Sequence, residues 1–168
     1  MKERKQGFTL IELLVVIAII GILATTLVPK LREQLAKAKD SKAIAVLGAT
    51  RTIGDIILVE KMVLDLTNDG NIYVTTKEIY DKLDSKAHEI FNGDDTNYLH
   101  IGGSKNKDGT EVSYKGLVTY DSGYDKTLGP CFKVAGDSLE INLVTYSDII
   151  KNFITKDYSM EGKKWTEY

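Results

Sequence analysis

The chain is poor in reactive side chains: one cysteine and two histidines in 168 residues. A lone Cys131 leaves no intrachain disulfide to form. Set beside Phe132 in a predicted strand, it reads as a small buried hydrophobe. His88 and His100 fall on a predicted helix and a predicted strand, with no ligand-like spacing to Cys131. Neither a zinc site nor nucleophilic catalysis has the groups it needs. Asp94, Asp95, Asp108, Asp121 and Asp125 are loop acids, but they follow no calcium-loop pattern, and ordinary turn chemistry accounts for them. No metal, cofactor or catalytic constellation is expected, and the chain reads as a non-enzyme. A nucleotide-binding motif, an internal repeat and a low-complexity segment are also missing. Net charge is −2, which argues against strong general nucleic-acid binding. Lys105 and Lys107 make at most a local basic patch, and solvation of a polar loop explains them.

What the chain does have is an apolar run from Phe8 to Val28, 21 residues with the single charge of Glu12. A bilayer core asks for about 20 such residues in a helix. A cleaved secretory signal fits badly. The run is long for one, it contains an acid, and helix-forming sequence from Pro29 to Lys39 follows it. A buried soluble helix fits no better, because a domain of this size has little core to cover it. The leader carries Lys2, Arg4 and Lys5 against Glu3, so the N-terminus is expected inside the cell and everything after Val28 outside. An acid within a bilayer costs about 2.5–3.5 kcal/mol on insertion scales. Glu12 therefore needs a role.

The segment Gly7-Phe8-Thr9-Leu10-Ile11-Glu12-Leu13-Leu14-Val15-Val16-Ile17-Ala18-Ile19-Ile20-Gly21-Ile22-Leu23-Ala24, with Pro29 beyond it, resembles the class III signal and N-terminal helix of type IV pilins and their pseudopilin relatives. The resemblance covers residues 1 to about 30; the rest matches in general layout only. It implies that a prepilin peptidase cuts between Gly7 and Phe8 and N-methylates the new Phe8 amine. It implies separate partners too: an assembly ATPase and a platform protein that move subunits from the cytoplasmic membrane into a helical homopolymer with other pilins. No host receptor is indicated. Losing the leader, with three bases and one acid, leaves −4 on side chains. Glu12 lies about one helical turn from the Phe8 amine. In a filament its carboxylate can neutralise the amine of a neighbouring subunit, a pairing that sets register more than it adds stability. Gly21 and Pro29 weaken the helix around Thr25 and Thr26. This reads as a kink or, by the resemblance, as a segment that loses helical hydrogen bonds in the filament. Many pilins of diderm bacteria close their C-terminal region with a disulfide. The lone Cys131, with a composition rich in Lys, Asp, Ile and Tyr, points instead to a Gram-positive host.

After Pro29 an amphipathic helix is expected to continue to about Leu66, roughly 90 Å from Phe8 at 1.5 Å per residue. Leu31, Leu35, Ala38, Ala45, Ala49, Thr52, Ile56, Val59, Val63 and Leu66 form a four-three stripe interrupted at Lys42. Its small early half reads as a stalk that neighbouring subunits can approach, and its large later half as the face under a sheet. Thr67–Asn71 breaks the helix. Thr75 and Glu78 form a capping box opening a second helix, with Ile79, Leu83, Ala87 and Ile90 on one face and Asn92–Asp95 at its end. Strands are expected at Tyr98–Ile101, Glu111–Tyr120 (bent at Gly116), Cys131–Val134 and, most clearly by alternation, Leu139–Leu143, with a turn at Ala135–Ser138. The fold class is α+β, a pilin-type roll with an antiparallel sheet wrapped on the C-terminal half of the long helix. The division is leader 1–7, membrane or filament-core helix 8–29, and amphipathic helix plus globular domain 30–168. The function read from this is a structural subunit of an extracellular pilus for adhesion, surface motility or biofilm formation. The alternatives are a pseudopilin of a type II secretion or competence (DNA uptake) system and, from another class, a membrane-anchored exported binding protein.

Overall fold

A computed structural model describes residues 8–67, 71–93, 95–114, 116–134, 139–148 and 153–168. One helix, α1 (Leu10–Val63), opens the chain and continues through Gly21 and Pro29. Pro29 has no N–H, so the Thr25 carbonyl gains no helical donor from it. The Thr25 and Thr26 hydroxyls bond back to the carbonyls of Ile22 and Leu23 at 2.7 and 3.0 Å, which satisfies both inside the helix. Asp65 ends the helix region. It takes a left-handed φ of 51°, and the following Leu66 N–H donates to the Lys61 carbonyl at 2.9 Å.

The chain forms two compact units, Met1–Gln34 and Leu35–Tyr168. In the first, every described residue from Phe8 to Arg32 is exposed and helical or at the helix start.

The second unit holds the core. It begins with the later part of α1 and continues through β1 (Tyr73–Thr75), α2 (Thr76–Lys82), α3 (Ser85–His88), β2 (Phe91–Asn92), β3 (Asp95–Ile101), β4 (Ser104–Lys105), β5 (Val112–Ser113), β6 (Gly116–Tyr120), β7 (Gly123–Asp125), β8 (Gly129–Lys133), β9 (Leu143–Asp148), β10 (Phe153–Ile154), β11 (Tyr158–Ser159) and a 3-10 turn at Trp165–Glu167. The strands form three antiparallel sheets: β10-β9-β6-β3-β2, β1-β8-β7 and β11-β4-β5. β6 is the centre of the largest, pairing Leu99 with Val118 on one side and Val118 with Thr145 on the other. A long N-terminal helix followed by antiparallel sheets is the expected α+β architecture, divided among three sheets where one was expected.

The core joins Ala43, Leu47, Ile57 and Leu58 of α1 to Val74, Ile79, Leu99, Val118, Phe132 and Trp165. Burying a side chain of this size stabilises by about 1.5–3 kcal/mol. Thr50, also buried, donates to or accepts from the Tyr120 hydroxyl at 2.9 Å, and burial pushes that phenol up to about 12. The α1 stripe is a correction. The buried positions include the series Ala36, Asp40, Ala43, Leu47, Thr50, Gly54 and Ile57, with Val46 and Leu58 beside it, while all ten stripe positions from Leu31 to Leu66 are exposed. Both series repeat every three and four residues. They lie on opposite faces, and periodicity alone cannot say which one meets the sheet.

Other boundaries shift as well. The capping box is present: the Glu78 N–H donates to Thr75 Oγ1 at 3.1 Å, and the Thr75 N–H donates to Glu78 at 2.8 Å. Ile79, Leu83, Ala87 and Ile90 are buried. The helix splits at Asp84, which caps α3 by accepting from Lys86 N and Ala87 N, and Phe91–Asn92 is already strand. Glu111–Tyr120 is two strands in different sheets, parted before Gly116. Leu139–Asn142 is outside any strand, and β9 starts at Leu143. The alternation there is real as burial: Ile141 and Leu143 are buried and Leu139 packs on the core. The backbone serves α1 instead, because the Ile141 carbonyl accepts from Arg51 Nε at 2.8 Å. Cys131 is buried, as expected. The expected turn at 135–138 lies outside the described residues.

Candidate functional site

The first candidate is the start of α1. Thr9 and Glu12 bond reciprocally: the Glu12 N–H donates to Thr9 Oγ1 at 3.3 Å, while Thr9 N–H and Thr9 Oγ1 donate to Glu12 Oε2 at 2.8 and 2.7 Å. This is capping-box geometry, and it satisfies two donors at a helix end. Glu12 Oε1 takes no hydrogen bond among the described residues. Phe8 beside it is 77% exposed. Sequence reasoning found Glu12 and missed the part of Thr9, although Thr9-Leu10-Ile11-Glu12 carries the Ser/Thr-x-x-Glu signal. Gly7 lies outside the described residues. Gly21 and Pro29 both sit inside continuous helix, and Gly21 has open space around its Cα. The helix is long and apolar enough to cross a membrane, and its most apolar window is wholly unburied.

A second feature escaped the sequence reading. Asp40 is 1% exposed and lies among apolar residues on the inner face of α1. Its Oδ1 accepts from the backbone N–H of Gly102 at 2.9 Å and of Gly103 at 3.1 Å, and its Oδ2 accepts from Met160 N–H at 3.1 Å. Burial pushes the Asp40 carboxyl up, and the three donors pull it the other way. Adding a Cβ at Gly102 would run into the Ala36 carbonyl and place it 2.6 Å from Lys39 Cβ, so this loop crosses α1 at backbone contact. The signal was an acid inside one heptad series together with a Gly-Gly pair elsewhere.

The remaining candidates are local. Asp108 accepts from Thr110, and Asp125 accepts from Thr127 N and Leu128 N at 2.7 and 2.9 Å, which is turn chemistry. No group of three or more His, Cys, Asp or Glu that could hold a metal occurs among the described residues. Burial also pushes the Cys131 thiol up.

Residues 2–28 match the family model described as the prokaryotic N-terminal methylation motif. The chain is similar to type II secretion system core protein G of Aeromonas hydrophila, 39% identical over 85 residues, covering 51% of this chain and 53% of the relative. It is 38% identical over 74 residues to type IV major fimbrial protein FimA of Dichelobacter nodosus, 44% of each chain. Fimbrial protein EcpB of Eikenella corrodens is 42% identical over 69 residues, 40% of this chain and 43% of the relative. These findings support the type IV pilin and pseudopilin family. The chain spans about half the length of these curated relatives or somewhat less. No solved structure matches it. The matched span includes Phe8 and Glu12, and the Thr9–Glu12 cap lies within it.

Proposed function

We propose that this chain is the structural subunit of an extracellular type IV pilus, serving adhesion, surface motility or biofilm formation. The observation that carries the reading is the unburied apolar surface from Phe8 through the first part of α1 to Val28, with one carboxylate near its start. Exposed apolar area on that scale marks a membrane or protein contact. Lipid covers it in the precursor, with the basic leader inside the cell, and other subunits cover it in the filament. Residues 1–7 are the leader, 8–29 the membrane or filament-core helix, and 30–168 the amphipathic helix with its globular domain. A prepilin peptidase cuts after Gly7 and methylates Phe8. The open Oε1 of Glu12 then faces the amine of the next subunit while Thr9 holds Oε2. Gly21 and Pro29 are the places where the helix gives way on assembly. A separate ATPase and platform protein drive assembly, and the subunit itself is not an enzyme. The exposed stripe from Leu35 to Leu66 supports the same reading, as a second surface for neighbouring copies. The lone Cys131 supports a Gram-positive host.

One relative favours a second reading: the similarity to a type II secretion core protein supports a pseudopilin. Mass spectrometry of the N-terminus in sheared surface material from the native host separates the two. Abundant chain beginning with N-methyl-Phe8 in that material is the expected result. The same mature chain confined to the membrane fraction favours the pseudopilin. Chain still starting at Met1 in the producing cell overturns both.

A further inference from the structure

A cavity of about 540 Å³ opens in the second unit between α1, the residue after α3, β3 and the start of β6. Pockets for small molecules span roughly 300–1,000 Å³. Lys39, Lys42, Glu89, His100, Tyr114 and Gly116 are among its lining residues. Lys42 Nζ lies 2.7 Å from Glu89 Oε2, and this bond and charge hold the Glu89 carboxyl below its usual range. Lys39 has no carboxylate partner among the described residues. After burial, its charge is the second cause that lowers the His100 pKa. The described lining residues therefore carry one net positive charge. Tyr114, about half exposed, adds an aromatic ring.

We propose that this cavity binds an acidic sugar, a pyranose unit bearing one carboxylate. One unpartnered ammonium matches one carboxylate, and charge-assisted bonds of that kind are the strong ones. Among the described lining residues, a phosphate chain would set several negative charges against Glu89 and one spare cation. Glu89 accepts hydrogen bonds from hydroxyls. Tyr114 offers a flat apolar face to a sugar ring. Lys42 of its lining falls in the α1 stripe proposed as a second surface for neighbouring copies, but binding to the dispersed chain is read apart from the pilus reading.

The test uses the full chain in detergent micelles with carbon-13-labelled histidine, titrated with glucuronate, glucose and inorganic phosphate. The two histidines give one probe in the cavity and one control, His88. Glucuronate should move the His100 signal saturably and raise its pKa, because a bound carboxylate cancels the Lys39 charge, while His88 stays put. Glucose should bind at least about tenfold more weakly. Lys39→Gln should lose about tenfold in glucuronate affinity, and Tyr114→Ala should weaken it as well. An unmoved His100 overturns the proposal. So does phosphate binding as tightly as glucuronate, or undiminished affinity in Lys39→Gln.

Discussion

Asp40 and Met160 stand 120 positions apart, and the carboxylate of one accepts the backbone N–H of the other at 3.1 Å. Two further N–H groups, of Gly102 and Gly103, converge on the same side chain. A buried N–H left without an acceptor costs about 1–3 kcal/mol. Asp40→Ala orphans three and should destabilise the second unit by at least about 3 kcal/mol on that scale. Asp40→Asn keeps one acceptor oxygen and should cost less. Thermal unfolding followed by circular dichroism ranks the two. Equal stability of Asp40→Ala and wild type would show that the three bonds contribute nothing net.

The acid limb of stability should carry two opposing carboxyls. Burial pushes Glu78 up, but Lys61 and Thr75 together outweigh it and hold its pKa below the usual range. Its contribution is present above the unfolded value, about 4.3, and is lost as pH falls through the folded value. Asp40 is raised, so its ionisation weakens the fold as pH climbs from the unfolded value, about 3.9, through the folded one. Glu78→Gln should flatten the loss of stability on acidification, and Asp40→Asn should steepen it. Denaturation midpoints from pH 3 to 7 decide; parallel curves for the two variants would contradict the assignment.

Gly102→Ala should be worse than Gly54→Ala. At Gly102 the new methyl meets the Ala36 backbone; at Gly54 it meets Leu139 Cδ2 at 2.8 Å and Ile141 Cδ1 at 2.9 Å, side-chain tips that can move. Overpacking costs about 1–3 kcal/mol, with Gly102 expected at the upper end. Unfolding midpoints give the order, and the reverse order would mean the loop retreats from α1 easily.

The two faces of α1 can be separated by mutation. Leu47→Ala, on the buried face, should cost about 2–5 kcal/mol. Val59→Ser, on the exposed face, should leave stability within about 0.5 kcal/mol and lower filament yield. A large stability loss in Val59→Ser would restore the original stripe to the core.

This pair also shows what the sequence could and could not tell. The membrane-grade run, the Thr75–Glu78 cap and the α+β order were legible because each rests on local chemistry. The inner face of α1 was not, because it contains Asp40, Thr50 and Gly54, which break an apolar series. Those residues are accommodated by partners far along the chain: Gly102, Tyr120 and Leu139. The outer face looked more like a core because its apolar residues have no such partners. Leu139–Leu143 misled in the same way, since alternation reports which side chains are buried and not whether the backbone joins a ladder. At the candidate site, Glu12 was visible as a charge out of place, while Asp40 was hidden among the charges of an amphipathic helix.

Glu12→Ala should leave cleavage at Gly7-Phe8 intact and impair assembly. Immunoblots for the mature chain and electron microscopy of the cell surface read the two effects separately. Wild-type filaments on such cells would remove Glu12 from the assembly argument.

Trp165 is the sole tryptophan, fully buried in the core, with its indole N–H unpaired among the described residues and its ring 5.6 Å from that of Tyr168. Its emission therefore comes from one apolar site, and unfolding moves that site into water. The far-ultraviolet signal, by contrast, is dominated by α1. Heating one sample and following both colours of light thus asks whether the last turn of the chain lets go together with the helix or before it. A single shared midpoint is what one cooperative transition requires.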